Sequence, residues 1–343
     1  MSRFLIVQAD FPSGRGTRGM NLYRFLAIYH GRKAVRLATT RELLASEPIS
    51  TDTLFIGMPT EIGKEHLEKL KFRHVVLFDY HDGPGPIWRE SDRDLLLTLT
   101  DTYLKPWVEP DWDRRLPDWD GRLKMGVLPI RRHYKLKFCL QCQDYFAWLR
   151  GRTAHRRKYD VAFIGNATTM ESEFHQRIQW LREIREARDR YSFWGGIVVR
   201  KQLRESLERR FNDLEDLYYP RGRVDFFNYF RNLLRSRVAL APAGNARWSY
   251  RHYEAIYAGA SLVSADFRET KILIPLPLDN MHHVADHATV LPAIDEALTV
   301  RRENPERATE NIQFLERYLK HGDYCREKPE LMDRFLAQLP KAA

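Results

Sequence analysis

Short apolar runs alternate along this chain with longer amphipathic segments. The first run, FLIVQA at Phe4–Ala9, leads into a glycine-rich loop and a predicted helix at about Met20–Tyr29. Runs of Val, Ile, Leu and Phe of this length are typical of buried strands, because both faces of a parallel sheet are covered. The same pattern predicts further strands at Thr53–Gly57, His74–Phe78, Leu95–Thr100 and Met125–Ile130. The alternation favours an α/β fold built on a parallel sheet.

Between about Arg131 and Tyr159 the chain becomes basic, aromatic and cysteine-bearing, and the α/β pattern then begins again. The second series predicts strands at Asp160–Asn166, Tyr191–Gly196, Val238–Gly244 and Ser261–Ala265, and helices at Glu173–Arg188, Gln202–Asp216, Phe226–Ser236, Tyr253–Ala258, Pro305–Leu319 and Pro329–Leu336. We therefore predict two Rossmann-like α/β domains, 1–150 and 151–320, facing a central cleft, followed by a C-terminal helix in 321–343. Ligands of such folds bind beyond the carboxyl ends of the strands.

The composition narrows the classes of partner. The chain has 343 residues, of which 43% are hydrophobic, enough to pack two cores and to exclude a disordered protein. Lys plus Arg (56) exceed Asp plus Glu (46), and the formal charge of +10 predicts an anionic partner such as a nucleotide, a phospholipid surface or nucleic acid.

Cysteine content and hydropathy predict a cytoplasmic protein. Cys139, Cys142 and Cys325 are too few for a disulfide framework, and the Cys139-x-x-Cys142 pair has no second pair to complete a zinc site. Gln8 and Asp10 interrupt the first apolar run too early for a signal peptide, and no apolar stretch is long enough to span a bilayer. Any membrane contact is therefore expected to be peripheral.

The segment Ala241–Asp266 carries the most informative combination of residues. It predicts a strand end, a polar loop with a glycine, a helix and a second strand. A helix N-terminus presents free N–H groups and a partial positive charge, which suits a diphosphate, and arginines there add charge-assisted hydrogen bonds. A carboxylate one turn further along can accept both hydroxyls of a ribose. The candidate residues are Gly244, Asn245, Arg247, Ser249, Tyr250, Arg251 and Glu254. Charge pairs at the start of a solvated helix are the structural alternative.

The order strand, glycine loop, S-x-R-x-x-E-A-x-x-x-G, strand resembles the donor-binding domain of GT-B-fold glycosyltransferases, especially exostosin-like members. The pattern is filled by Ser249, Arg251, Glu254, Ala255 and Gly259. The resemblance covers about 160–336, and the first domain only in architecture. It implies a nucleoside-diphosphate sugar as donor substrate on the second domain, metal-independent transfer without a cofactor, and a final helix that crosses back to the first domain.

The chain departs from the commoner pattern of that family, which has two glutamates eight positions apart. Ala246 occupies the first position, and only Glu254 is present. How the sugar hydroxyls are held, and whether the anomeric configuration is retained or inverted, therefore stays open.

Gly165 and Asn166 end the predicted strand DVAFIGN and are a second pair of donor-side candidates. A glycine there lets a phosphate or another backbone segment come close. An ordinary strand-to-helix turn explains the same residues.

In the first domain, FPSGRGTRG contains Gly14, Gly16 and Gly19 in a G-x-G-x-x-G arrangement after a strand and before a helix. This arrangement supports an alternative function, an NADP-dependent oxidoreductase. The match is incomplete, because four residues separate the strand from the first glycine and no acidic residue ends the next strand-like segment. A glycine loop at this position also suits a glycosyltransferase that holds phosphate or acceptor there.

DYHDGPGP follows the predicted strand HVVLF and supplies candidates for a general base. Inverting transfer needs a base that takes the proton of the acceptor hydroxyl, and an Asp or His at a strand end suits that role. The candidates are Asp79, His81 and Asp82, with Asp10 and Asp101 behind them. A simple turn at Asp-Gly-Pro is the alternative.

Two further clusters have less specific interpretations. His282, His283, Asp286 and His287 include an i, i+4 histidine pair, but no H-E-x-x-H motif is present, so we predict a donor-loop or surface role and no metal. The basic and aromatic stretch 131–159 suits phosphates or a membrane surface. We therefore expect a glycosyltransferase acting on a glycan or lipid-linked acceptor, with nucleic acid as the second choice of acceptor. A basic nucleic-acid-binding protein is the non-enzymatic alternative.

Overall fold

The computed structural model describes residues 2–8, 19, 22–23, 26–27, 30–58, 62–79, 93–105, 107–119, 121–125, 150–152, 156–167, 171–199, 201–209, 214–222, 224–244, 247–273, 275–319 and 329–340. The strands are β1 (Ser2–Gln8), β2 (Val35–Thr39), β3 (Ile49–Gly57), β4 (Leu70–Lys71), β5 (His74–Phe78), β6 (Thr102–Lys105), β7 (Trp107–Val108), β8 (Leu123–Met125), β9 (Tyr159–Asn166), β10 (Phe193–Val198), β11 (Ser236–Ala241), β12 (Ser261–Ala265), β13 (Lys271–Ile272) and β14 (His282–Val284). The α-helices are α1 (Thr40–Leu44), α2 (Lys64–Leu67), α3 (Arg93–Leu99), α4 (Trp112–Arg115), α5 (Glu171–Glu186), α6 (Lys201–Glu208), α7 (Phe226–Leu234), α8 (Tyr250–Tyr257), α9 (Leu291–Glu303), α10 (Arg307–Leu319) and α11 (Pro329–Leu336).

The chain divides into two compact units. Unit 1 consists of Met1–Gln141, Glu269–Pro275 and Tyr318–Ala343, and unit 2 of Cys142–Arg268 and Leu276–Arg317. The boundary predicted from the sequence, after residue 150, therefore lies on the unit 2 side of this division. The segment 269–275 belongs to unit 1, since β13 pairs with β7 there. A two-residue strand paired with a distant segment leaves no sequence pattern.

Unit 1 is built on a parallel sheet with the strand order β2-β1-β3-β5-β6-β8, with β4 added beside β3. Strand β1, which has a neighbouring strand on each side, buries Phe4, Leu5, Ile6 and Val7 almost completely. Because both faces of such a strand are covered, a continuous apolar run is the sequence that forms it. The chain leaves β1 for β2 on one side and then reaches β3 on the other side, so the order of the strands reverses between β1 and β3.

Unit 2 repeats this arrangement in a five-stranded parallel sheet with the order β10-β9-β11-β12-β14. Its core contains buried side chains from the strands and from α5 and α9, including Phe163, Trp180, Leu240 and Ile294. Here the reversal of strand order falls between β9 and β11.

Helix α7 shows how the sequence specifies one of these elements. The Asp225 side chain caps the helix by accepting a hydrogen bond from Asn228 N at 3.0 Å. Buried Tyr229, Phe230 and Leu233 then lie on one face at helical spacing. The cap therefore specifies where the helix begins, and the apolar residues specify which face packs against the sheet.

The strand predicted at Leu95–Thr100 is wrong, and of the strand predicted at Met125–Ile130 only Met125 lies among the described residues. Within the run predicted as a strand at Leu95–Thr100, the structure has α3, with Leu96 fully buried. The Thr98 and Thr100 hydroxyls donate to the backbone oxygens of Asp94 and Leu96, at 2.8 and 2.6 Å. A short apolar run fits a buried helix as well as a strand, so periodicity could not distinguish the two. The strand of this region is β6, which the apolar pattern did not predict because the strand contains Lys105.

Among the helices of the described residues, none combines the length and the apolar character needed to cross a bilayer.

Candidate functional site

The reversal of strand order in unit 2 brings together the loops that follow β9 and β11. Strand β9 ends in Gly165 and Asn166, and β11 is followed by Pro242, Ala243 and Gly244. In open parallel sheets ligands bind at this place, beyond the carboxyl ends of the two strands. The two glycine-bearing segments that the sequence singled out therefore lie beside each other.

Gly165 is required by close packing. A Cβ atom on this residue would lie 2.6 Å from Phe163 Cζ and 3.4 Å from Arg251 Nη2. The absence of a side chain thus lets the guanidinium of Arg251 approach the end of β9.

Arg251, in the first turn of α8, is tied to that strand. Its Nη2 donates to Ile164 O at 2.8 Å, and its guanidinium carbon lies 4.9 Å from the centre of the Phe163 ring. The positive charge of Arg251 and the start of α8 both lie where the strand order reverses between β9 and β11, which is the switch point of the sheet. Phosphate binding requires such an arrangement.

Glu254 is buried with a relative exposure of 7%, as is Tyr229 on α7. The Tyr229 hydroxyl is hydrogen-bonded to Glu254, and burial followed by the charge of Glu254 raises the pKa of Tyr229 well above its ordinary value. Glu254, Tyr229 and Arg251 therefore form one polar cluster between α7 and α8. Nothing in the sequence motif pointed to Tyr229, which reads as an ordinary core residue of an amphipathic helix.

Arg247 lies beyond β12 and β14. It donates to Asp266 O at 3.0 Å and forms an ion pair with Asp286. Asp266 in turn pairs with Arg268, whose hydrogen bonds lower the pKa of Asp266 to about 2. The carboxyl edge of unit 2 therefore carries acidic partners for its arginines, which the sequence motif did not indicate.

Ser249 is the N-cap of α8, Ala258 is its C-cap, and Gly259 follows with φ +67°. His252 stands where a capping box has glutamate, with Nδ1 3.1 Å from Ser249 N and Nε2 2.8 Å from Ser264 Oγ. Nδ1 also lies 2.8 Å from Ser249 O, and the Ser264 hydroxyl donates to Ala265 O at 2.8 Å, so both ring nitrogens of His252 have polar partners. Asn245 and the Tyr250 side chain lie outside the described part of the chain.

Burial lowers the pKa of His252 to about 3. Between pH 6.5 and that value the unfolded chain binds a proton that the folded chain does not, so stability falls as the pH falls. We expect this group to remove about 1.4 kcal/mol per pH unit across that window. Urea unfolding between pH 7 and pH 4.5 measures the effect: His252→Gln should flatten the slope relative to the wild type, whereas His175→Gln, at an exposed position, should not. An identical slope in His252→Gln would contradict the assignment.

His283 and His287, although spaced i, i+4, do not lie on one helix. His282, His283 and Val284 form strand β14, and His283 Nε2 lies 3.2 Å from Leu278 O. In the residues that the structure describes, no group of three or more His, Cys, Asp or Glu side chains is arranged to hold a metal ion.

The basic segment 131–159 is described only at its end. There Arg156 is exposed, but Arg157 donates to Gly259 O at 2.9 Å, to Ala258 O at 3.3 Å and to Ser236 O. Burial lowers the pKa of this arginine to about 9. Arg157 is thus a structural residue at the C-terminal ends of α7 and α8, where a cation is stabilising, and not part of an exposed basic surface.

In unit 1, Asp79 follows β5 as predicted but is fully buried. Its Oδ2 accepts from Tyr103 Oη at 2.9 Å and from Lys105 Nζ at 3.0 Å. Asp101 precedes β6 and accepts from Val75 N at 2.8 Å, so it lies at the amino end of the strands, not at the carboxyl end as expected. His81, Asp82, Asp10, Gly14 and Gly16 lie outside the described residues, as do Cys139, Cys142 and Cys325.

Comparison with solved structures gives the class of fold. The chain is similar to an α,α-trehalose-phosphate synthase (UDP-forming) from Burkholderia vietnamiensis, with 13% identity, a TM-score of 0.55, and coverage of 98% of this chain and 99% of that one. It is also similar to the N-terminal domain of trehalose-6-phosphate phosphatase from Candida albicans, with 12% identity, a TM-score of 0.54, and coverage of 98% of this chain and 97% of that one. A third similar structure is Anabaena HepE in complex with UDP-glucose, with 8% identity, a TM-score of 0.51, and coverage of 97% of this chain and 99% of that one. The predicted GT-B-like class, with two Rossmann-like α/β units, is confirmed. The sequence matches no protein-family model and no curated protein.

Proposed function

We propose that this protein is a glycosyltransferase that binds a nucleoside-diphosphate sugar at the carboxyl edge of the unit 2 sheet and transfers the sugar to an acceptor hydroxyl. The observation that carries the proposal is the convergence of the ends of β9 and β11 with the first turn of α8, where Arg251 is held 2.8 Å from Ile164 O. A helix N-terminus with an adjacent guanidinium binds a diphosphate and stabilises it as the leaving group.

Each part of the site has a proposed role. Arg251 and Arg247 bind the diphosphate, Gly165 and Gly244 let it approach the backbone, and Glu254 orients the ribose. Displacement at the anomeric carbon releases the nucleoside diphosphate, and Arg251, Arg247 and the N–H groups of α8 offset its developing charge. The acceptor proposed from the net charge of +10 is anionic, either glycan or lipid-linked.

The residues at the end of β2 argue against the alternative function, an NADP-dependent oxidoreductase. In dinucleotide-binding folds an acidic side chain near that point holds the ribose. Here Thr39 ends the strand and caps α1, and the nearby Glu42 accepts from Thr39 N at 2.8 Å. The carboxylate is therefore committed to a capping box.

UDP is the first ligand to test, because one of the similar structures is a UDP-forming enzyme and another is a complex with UDP-glucose. We expect UDP to raise the melting temperature, since a ligand that binds only the folded state stabilises it. Arg251→Met should weaken the UDP Kd at least about tenfold by calorimetry, the usual cost of a charge-assisted contact.

Arg237→Met is the matched control. Arg237 pairs with Asp160 at 2.8 Å at the amino end of the same sheet. Its substitution therefore changes the net charge as Arg251→Met does, but away from the site. Its UDP Kd should equal that of the wild type. If GDP, CMP, ADP and UDP all fail to stabilise the wild type, or NADP alone does so, the proposed function is wrong.

A further inference from the structure

Two consecutive residues of α5, Gln176 and Arg177, hold both backbone polar groups of one residue, Ala243, in the loop after β11. Gln176 Oε1 accepts from Ala243 N at 2.6 Å, and Arg177 Nε donates to Ala243 O at 3.0 Å. The backbone of Ala243 is therefore fixed by side chains of the helix that follows β9, not by the helix that follows β11.

Arg177 also reaches the other loop of the switch point. Its Nη1 donates to Asn166 O at 2.7 Å, so one guanidinium joins the end of β9 to the loop after β11. The planar fork of arginine suits this bridge, because its donors have a fixed mutual geometry. Gln176 is buried, with 8% exposure, which excludes water from the hydrogen bond it makes.

The position of this bridge gives it a consequence beyond stability. The segments it joins, 165–166 and 243–244, are the ones between which a ligand binds in a parallel sheet of this topology. Backbone N–H groups bind an anion well only when they are already oriented towards it. A residue that fixes the spacing of two such loops therefore sets the geometry of the site without contacting the ligand.

We propose that Gln176 and Arg177 are positioning residues of the donor site, which set the distance and the orientation of the two loops that bind the diphosphate. The inference rests on the function proposed above and deepens it. Neither residue belongs to a sequence motif. From the sequence alone, a glutamine and an arginine within a long polar helix would be interpreted as ordinary surface residues.

Calorimetric titration of the full chain with UDP tests the proposal. Arg177→Met and Gln176→Leu should each weaken the UDP Kd about tenfold or more in folded protein. Gln176→Glu should stay within about twofold of the wild type, because a carboxylate oxygen also accepts the Ala243 N–H. Arg185→Met is the control on the same helix: Arg185 pairs with Asp216 on the surface, and its loss should leave the Kd unchanged.

The outcomes separate three cases. If Arg177→Met and Gln176→Leu lower the melting temperature but keep the wild-type UDP Kd, the two residues have a structural role only and the proposal is overturned. A Gln176→Glu variant that binds UDP as weakly as Gln176→Leu would also overturn it. If Arg177→Met does not fold, Arg177→Lys replaces it, and an unchanged Kd there would equally overturn the proposal. Failure of the wild type to bind any nucleoside diphosphate would instead contradict the proposed function.

Discussion

Gly195→Ala is expected to prevent unit 2 from folding stably. Gly195 lies in β10 with φ +132°, a conformation that side chains rarely adopt, and a Cβ atom there would lie 1.5 Å from Phe163 O in the neighbouring strand. The strained backbone costs about 1–3 kcal/mol and overpacking about as much again. The clash is with the backbone of the adjacent strand β9, so no rotamer change relieves it. We expect insoluble protein, or a melting temperature lowered by about 10 °C or more.

Gly222→Ala is the matched control for this prediction. Gly222 has φ +63°, so alanine is strained there too, but among the described residues no atom beyond its two chain neighbours lies within 4 Å of the added Cβ. Its cost should be about 1–2 kcal/mol, the penalty for a left-handed backbone alone. Thermal unfolding followed by circular dichroism compares the two variants. If both melt within a degree or two of each other, the close approach of β10 to β9 is not the cause.

The sequence predicted the layers of both units because burial on two faces leaves a continuous apolar run. Phe4–Val7 and the strand DVAFIGN are such runs, and each forms a strand with a neighbouring strand on both sides. The prediction was wrong at Leu95–Thr100 because an apolar run of six residues satisfies helix and strand equally. The structure resolves the ambiguity through the hydroxyl contacts of Thr98 and Thr100 and through β6, which continues the sheet with a buried lysine.

The candidate site was only partly predictable, for a related reason. Residues adjacent in sequence, such as Ser249 and Arg251, carry a local pattern that a cap or a helix start imposes. Contacts between segments that are distant in the sequence leave no such local pattern. Arg177 contacts Ala243, and Arg157 contacts Gly259, only because the fold brings the two segments together. For the same reason the charge of Arg157 was assigned to a surface, although the structure uses it at two helix ends.

Asp79 shows how burial changes the role that its position suggests. At a strand end it is a natural candidate for a general base, but its carboxylate is enclosed with Lys105 and Tyr103. Burial, and then the charge of Asp79, raise the pKa of Tyr103 well above its ordinary value. A base must reach the proton of its substrate, whereas this carboxylate balances a buried ammonium group.

Lys105→Met is accordingly expected to lower the stability of unit 1 by about 3–5 kcal/mol, the cost of leaving a buried charge without its partner. Lys105 Nζ lies 3.0 Å from Asp79 Oδ2 and 5.5 Å from the Trp112 ring, and the side chain has no exposed surface. Asp79→Asn should be destabilising for the same reason. In the double variant no charge remains to be compensated, so its cost should fall at least about 2 kcal/mol below the sum of the two single changes. Urea unfolding of all four proteins measures this coupling. Simple additivity would show that the pair is not a unit and would return Asp79 to the candidates for the catalytic base.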